Sequence, residues 1–141
     1  MLPRMADLEQ DLAVVPLLRR GIRERWRAKL TRGTAAARRK ILNVLYHGPV
    51  IDERYAGRLP GDITLEGIVQ ELRERGASET CYVISNDSDL DGQTMKLEEV
   101  LPEVFGSHLA SILSCIPGIL AYYEGEEYGE RYILHRPTRT H

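Results

Sequence analysis

Carboxylate side chains recur at a regular spacing in one twelve-residue segment, DSDLDGQTMKLE at positions 87 to 98. Acids stand at its first, third, fifth and twelfth positions, and a glycine stands at its sixth. Three aspartates, one backbone carbonyl and a bidentate glutamate would supply the hard oxygen ligands that Ca²⁺ and Mg²⁺ take in proteins, and the glycine would make the sharp turn. The candidate metal ligands are Asp87, Asp89, Asp91, Gln93 and Glu98.

This spacing resembles the calcium loop of EF-hand proteins, and the resemblance covers only this segment. The context differs, because residues 81–85 favour a strand, Thr94 stands where an aliphatic residue is usual, and Pro102 would interrupt a helix that begins at the end of the loop. Asp91-Gly92 is also a turn signal by itself. We therefore predict a turn without a cofactor, with Ca²⁺ binding as the alternative. The four carboxylates are expected to gather at the exposed end of the strand.

A second resemblance links ISNDSD, positions 84 to 89, to the short metal-binding motif of NYN/PIN-type nucleases. It implies Mg²⁺ held by carboxylates from several strand ends for phosphodiester hydrolysis. Upstream of this motif, the sequence offers residues 50–52 as one short candidate strand that ends in an acid. GxSxG, P-loop, GxGxxG and HExxH motifs are absent from the sequence. We therefore predict a protein without catalysis.

The composition is that of an ordinary globular domain, with 141 residues of which 43% are hydrophobic and 28% charged. This length suffices for one domain with its own core. Apolar runs are shorter than a membrane span, and acids occur where a signal peptide would be apolar, so we expect a cytoplasmic protein without a membrane partner. Cys81 and Cys115 lie in apolar stretches without metal-ligand spacing, which predicts two buried thiols.

Charge is distributed unevenly along the chain. Residues 1–48 contain eleven Lys/Arg and four Asp/Glu, whereas residues 49–141 contain eight and seventeen. In the basic part, helical spacing predicts one helix from Pro16 to Arg32-Gly33 and a second from Thr34. The apolar stripe of the first helix consists of Leu18, Ile22, Trp26 and Leu30. We expect this stripe to pack on the rest of the chain.

Three roles remain open for the arginines of this basic segment. They are the solvated side of a helix docked on the acidic remainder, a nucleic-acid-binding surface, or an interface with a protein partner or a second copy. A net charge of −2 weakens the case for nucleic acid. Trp and Arg are enriched at interface hot spots, which makes Trp26, Arg23 and Arg27 candidate partner-binding residues.

The remaining patterns predict an α+β fold, in which the N-terminal helices pack on a mainly antiparallel sheet of about four strands. The predicted order is helix-helix-helix-strand-helix-strand-strand-strand. The third helix runs from Thr64 to Gly76, and the fourth contains Val100 and Leu101. The chain divides into a basic helical arm at 1–48, a linker or loop at 49–63 and an α+β core at 64–141, folded as one unit.

The last strands, residues 108–115, 119–124 and 131–136, are joined first by a Pro117-Gly118 turn and then by a Gly/Glu-rich loop. Pairing Glu124 with Arg131 opposes unlike charges, so we predict that register for the final hairpin. One face of the hairpin is then apolar, and the other is expected to be its solvated side or a ligand-contacting patch. The residues of that second face are Tyr122, Glu124, Arg131 and His135, of which Tyr122, Arg131 and His135 are candidate partner-binding residues.

Together these patterns predict a small cytoplasmic, non-catalytic binding or regulatory domain that acts through a protein partner or as a homo-oligomer. One alternative is a Ca²⁺/Mg²⁺-binding module at loop 87–98. The other is a nucleic-acid binder that uses the arginine-rich N-terminal arm.

Overall fold

Helices cover both faces of one antiparallel sheet in the computed structural model, which describes residues 7–47 and 50–137. The helices are α1 (Leu8–Ala13), α2 (Arg23–Arg32), α3 (Ala35–His47), α4 (Leu65–Glu74) and α5 (Leu97–Val104). The strands are β1 (Ala56–Arg58), β2 (Thr80–Ser85), β3 (Thr94–Lys96), β4 (Ser111–Ile116), β5 (Leu120–Glu124) and β6 (Arg131–His135). Their order across the sheet is β1-β6-β5-β4-β2-β3. The predicted α+β fold is confirmed, with six strands in the described residues rather than about four.

The two additional strands form the edges of the sheet. β1 lies within the segment predicted as a linker or loop and pairs with β6, so that Gly57 lies opposite Ile133. β3 lies within the acidic segment and pairs with β2, so that Met95 lies opposite Cys81. Each strand is three residues long, which is too short to show a period in the sequence.

The helix predicted to begin at Pro16 is interrupted. Short 3₁₀ helices at Val15–Leu17 and Arg20–Ile22 precede α2, and Leu18 between them is extended. Leu18 forms an antiparallel bridge with Ile51. Backbone pairing with a distant segment therefore overrides the helical pattern, although the predicted apolar stripe is buried. Its residues are Leu18, Ile22, Trp26 and Leu30.

Predicted helix ends agree better with the structure. Gly33 adopts φ 70° after α2, and the Thr34 hydroxyl accepts the Ala37 N–H at 3.1 Å at the start of α3. The Thr64 hydroxyl accepts the Gly67 N–H at 3.0 Å at the start of α4, and Gly76 follows that helix at φ 99°. Helix-capping residues therefore predicted these helix boundaries correctly, whereas the apolar periodicity alone did not.

The final hairpin has the predicted register, because Glu124 lies opposite Arg131. The preceding turn also has the geometry expected of Pro-Gly, since Gly118 has φ 74° and the Ile116 carbonyl accepts the Ile119 N–H at 3.0 Å. Unlike charges and turn chemistry therefore suffice to align these strands.

The sheet divides the apolar core into two clusters. Tyr82 and Ile84 of β2 pack with Trp26 on the side of α1 to α3. Cys81 and Val83 alternate with them and pack on the side of α4 and α5. Cys81 and Cys115 are buried free thiols, as predicted. Within the described residues, every helix is too short or too polar to cross a membrane.

Candidate functional site

The acidic segment after β2 is a turn that brings the chain back along the same strand. Gly92 adopts φ 79° and donates its N–H to the Val83 carbonyl at 2.8 Å. The Gln93 carbonyl, a predicted metal ligand, accepts the Val83 N–H at 2.9 Å. Thr94 then pairs with Tyr82 as β3 begins. The Gln93 carbonyl therefore already accepts a hydrogen bond from the backbone of β2.

The expected cluster of four carboxylates does not form. β3 carries the chain to the opposite end of β2, since Lys96 lies opposite Thr80, and Glu98 follows on α5. There the Glu98 carboxylate contacts the Arg73 guanidinium at 3.1 Å. Among the described residues, there is no group of three or more His, Cys, Asp or Glu that could hold a metal ion. The prediction failed because the sequence pattern did not reveal the strand that separates the acids.

Two other acids of this turn, Asp87 and Asp91, accept hydrogen bonds from within the protein. The Asp87 carboxylate accepts the Asp89 N–H at 3.0 Å, which is an ordinary turn contact for aspartate. Asp91 accepts the Ser85 N–H at 3.0 Å and two bonds from the Arg38 guanidinium, at 2.8 and 3.0 Å. The pattern that suggested calcium thus includes one aspartate that binds an arginine of the N-terminal helices.

Arg38 is the centre of a polar network between the helices and the sheet. Its guanidinium lies 2.7 Å from the buried Asp11 carboxylate of α1, on the other side from Asp91. The Tyr82 hydroxyl of β2 donates to Asp11 at 2.6 Å. Burial raises the pKa of Asp11, although hydrogen bonds from Arg38 and Tyr82 oppose the rise. The network joins α1, α3 and β2 and is enclosed by them, so we assign it to the attachment of the helices.

The nuclease-type alternative requires an acid from residues 50–52 at the same place as the acidic turn. Asp52 instead binds Arg23 at 2.9 Å and Arg54 at 2.7 Å. Its N–H donates to the Leu17 carbonyl at 3.0 Å. Residues 50 and 51 pair with the segment between the 3₁₀ helices and do not add a strand beside β2. The upstream carboxylate is therefore held by arginines.

The face of the final hairpin predicted to be solvated is covered by α5 and the chain that follows it. Tyr122, Glu124 and Arg131 are all buried. Glu124 accepts bonds from the Tyr122 hydroxyl at 2.6 Å, from Arg131 at 3.2 Å and from the Gly106 N–H at 2.6 Å. The Arg131 guanidinium lies 4.1 Å from the centre of the Phe105 ring. Tyr122 and Arg131 are therefore enclosed by the protein itself, and of the four residues of this face only His135 is half-exposed.

Two of the three candidate partner residues of the basic segment are also used internally. Trp26 is buried among the helices and the sheet. Arg23 binds Asp52 and donates to the Leu18 carbonyl at 2.8 Å. Arg27 is exposed. The sequence offered one signal against the Trp26 assignment, namely its place in a stripe of four apolar residues.

The cations that remain on the outside of α2, α3 and the 3₁₀ helix before α2 form what we call the basic face. Its members are Arg20, Arg25, Arg27, Lys29, Arg32, Arg39 and Lys40. Lys29 is half-exposed and the others are exposed. Within the described part of the chain, none of the seven forms an ion pair. A cleft of about 760 Å³ is lined mainly by α3, including Arg39 and Lys40, together with Lys29 of α2 and Asn86.

The outside of α4 and α5 has the opposite charge, and we call it the acidic face. These two helices contain six Glu and one Arg, whereas α2 and α3 contain one Glu and eight Lys/Arg. Between α4 and α5 lies a groove of about 410 Å³ with apolar walls. Its lining is Leu65, Val69, Leu101 and Pro102, with Glu66, Gln70 and Glu98 at the margins. The two outer faces of the molecule therefore differ in charge and in shape.

Comparison with protein-family models, with curated proteins and with solved structures finds no match. The assignment of a function therefore depends on the two outer faces. Both are candidate binding surfaces, and within the described residues the larger number of charges without an ion pair lies on the basic face.

Proposed function

We propose that this chain is a small, cytoplasmic, non-catalytic binding or regulatory domain that acts through a protein partner, and that the partner presents an acidic surface to the basic face. The observation that supports the proposal is the set of seven cations without an ion pair on one side of the sheet. The same helices do pair their inward arginines, Arg23 and Arg38, with buried acids. The outward cations have no such counterpart within the described chain.

A protein surface fits this face better than a nucleic acid. The net charge of −2 does not favour attraction to the phosphates of a duplex, whereas domains that bind nucleic acid are typically basic overall. The aromatic side chain of the segment, Trp26, is buried and cannot stack on a base. Arginine is one of the residues enriched at protein interfaces.

The test compares two polyanions under the same conditions. Fluorescence anisotropy would measure the binding of a labelled glutamate-rich helical peptide and of a labelled DNA duplex, at low and at physiological salt. We expect the peptide to bind, and to bind at least tenfold more weakly to Arg39→Glu/Lys40→Glu. The matched control is Arg58→Glu/Lys96→Glu, which makes the same change in net charge at exposed positions on β1 and β3.

The control variant should bind the peptide like the wild type. Equal losses in both variants would show that net charge, and not the basic face, attracts the peptide. Tighter binding of the duplex than of the peptide at physiological salt would favour the nucleic-acid alternative and overturn the proposal.

A further inference from the structure

The outer side of α3 carries a row of side chains, which we call the ridge and which also lines the cleft beside α3. Ala36, Lys40 and Val44 follow one another at intervals of four residues, so they line up along one side of the helix. All three are exposed, and Val44 retains 36% of its exposure although it is a large apolar residue. Arg39 lies beside this row and is exposed as well. The ridge therefore combines an apolar residue with two cations.

The groove on the acidic face has complementary chemistry. Leu65 and Val69 are four residues apart on α4 and face Leu101 of α5 across the groove, so its walls are apolar. Glu66 and Glu98 lie at its margins. Pro102 has no N–H, so the Glu98 carbonyl lacks its usual helical donor. The groove thus offers an apolar floor, two carboxylates and a backbone acceptor to a row of the kind found on α3.

The relative position of the two faces determines what such a contact would build. α3 packs on one side of the sheet, whereas α4 and α5 pack on the other. A copy that uses its ridge therefore leaves its own groove open to a third copy. Contacts between two different patches generate rings or open assemblies and not closed symmetric pairs.

From these observations we infer that the acidic surface recognised by the basic face is the acidic face of a second copy of this chain, with α3 of one copy lying in the α4–α5 groove of the next. The inference rests on the proposed function and names its partner. Helices pack when the ridge of one fits the groove of another, and here the charges at the margins also correspond. Glu98 already contacts Arg73, but that pair is exposed and rearranges at little cost.

Sedimentation velocity of the purified full chain tests this directly. With increasing concentration at low salt, we expect the mean mass of the wild type to rise beyond that of a dimer, and to fall again when salt is added. Two variants each remove one face. Arg39→Glu/Lys40→Glu alters the ridge, and Glu66→Lys/Glu98→Lys alters the margins of the groove. Each variant alone should be monomeric.

Mixing the two variants provides the decisive measurement. The ridge variant keeps its groove and the groove variant keeps its ridge, and the reversed charges of the altered ridge and the altered groove are again opposite. An equimolar mixture should therefore assemble beyond a dimer, although each variant alone is monomeric. Assembly of the mixture also shows that both variants are folded. Control variants with the same charge changes elsewhere, Arg58→Glu/Lys96→Glu and Glu9→Lys/Glu127→Lys, should assemble like the wild type.

Three results would overturn the inference: a wild type that stays monomeric throughout, a dimer that persists in both face variants, or a mixture that stays monomeric. The proposed function is judged separately by the peptide measurement. A monomeric wild type that binds the glutamate-rich peptide through Arg39 and Lys40 would refute self-assembly and leave the proposed function standing. Failure of both measurements would refute both.

Discussion

The two helical layers cover the same sheet but are attached to it by different chemistry. α1 to α3 combine apolar packing with buried ion pairs, in which Arg38 binds Asp11 and Asp91. α4 and α5 pack through apolar side chains, and the ion pairs of these helices, such as Arg73 with Glu98, are exposed. The buried pair on that side, Glu124 with Arg131, joins two strands and binds the chain only after α5. Buried pairs are costly to break, whereas exposed pairs contribute little. The stability of the first layer should therefore depend on charges of its own helices, and the packing of α4 and α5 should not depend on theirs.

The arginines of the first layer have two different roles, since some bind buried acids and others are exposed. Arg38 and Arg39 are adjacent on α3, yet Arg38 points to two acids and Arg39 is exposed. A helix turns by 100° per residue, so neighbours of identical type face different surroundings. Charge along the sequence indicates that arginines are present, and the helical face determines what each one does.

Replacing Arg38 should give the largest effect on stability. Arg38→Met would leave Asp11, whose side chain is 4% exposed, and Asp91 without their cation. We expect the free energy of unfolding to fall by about 3–5 kcal/mol, the range observed when one partner of a buried pair is removed. Urea unfolding followed by circular dichroism measures the change. Arg39→Met is the matched control and should lie within about 0.5 kcal/mol of the wild type.

If Arg38→Met and Arg39→Met lowered the free energy of unfolding equally, the buried network would contribute no more than a surface arginine. That result would contradict the comparison of the two layers. Arg73→Met removes a charge from the second layer in the same way and gives a further test of the comparison. The Arg73 side chain is 38% exposed, so its loss should cost less than about 1 kcal/mol.

Burial of Trp26 should give the next largest effect. Trp26 is 2% exposed in the cluster under the first layer, and Trp26→Ala should lower the free energy of unfolding by about 3 kcal/mol or more. Its indole N–H has no hydrogen-bond partner in the described structure, so Trp26→Phe should cost less. Fluorescence of the wild type should show the emission of a buried indole, and emission at the wavelength of an exposed indole would contradict the structure.

Trp26 also reports whether the two layers unfold together. Both faces of the sheet are buried, so neither layer can detach without exposing apolar strands. The urea transitions seen by Trp26 fluorescence and by circular dichroism should therefore coincide. A separate, earlier fluorescence transition would show that the first layer opens independently, and would weaken the contrast drawn between buried and exposed pairs.

Much of this fold could be predicted from local signals. Thr64 and Gly76 bounded a helix, and the opposed charges of Glu124 and Arg131 aligned the final hairpin, because those residues act on their immediate neighbours. The burial of Tyr122 could not be predicted in the same way, because alternation along a strand does not show what covers its second face. The apolar sides of α4 and α5 were the available signal, since each requires a surface to pack on.

The candidate site was harder to predict than the fold, because it depends on distant contacts. Asp91 belongs to a calcium-like pattern in the sequence, but its partner is Arg38, 53 residues away. Leu18 fits a helical stripe, but its backbone pairs with Ile51. Spacing within a segment carries no information about either partner. The basic face can be identified only from the structure, which shows which arginines contact buried acids and which are exposed.

Asp11 and Asp52, which bind Arg38 and Arg23 of the first layer, should respond oppositely to pH. Burial raises the pKa of Asp11, so the native state holds its proton more tightly than the unfolded chain, and stability rises as pH falls through that raised pKa. Hydrogen bonds from Arg54 lower the pKa of Asp52, so its contribution is present above the unfolded value of about 4 and is lost as pH falls below it. These changes should be smaller than the effects of Arg38 and Trp26.

Urea unfolding of the wild type, Asp11→Asn and Asp52→Asn between about pH 7 and 3.5 separates the two aspartates. On acidification, the wild type should gain stability relative to Asp11→Asn and lose stability relative to Asp52→Asn. Two differences that change in the same direction would show that the environments of these two carboxylates have been assigned wrongly.

Calcium should have the smallest effect. For the acidic turn to hold Ca²⁺, Asp91 would have to leave Arg38, and Glu98 would have to return from the far end of β3. Specific binding at micromolar affinity would stabilise the native state by about 4 kcal/mol in millimolar Ca²⁺ and raise the melting temperature clearly. We expect a shift no larger than that caused by NaCl at the same ionic strength, and the same small shift in Glu98→Gln. A large shift that is specific to Ca²⁺ and absent from Glu98→Gln would contradict the comparison of the two layers. Asp91 would then belong to a metal site and not to the attachment of the first layer.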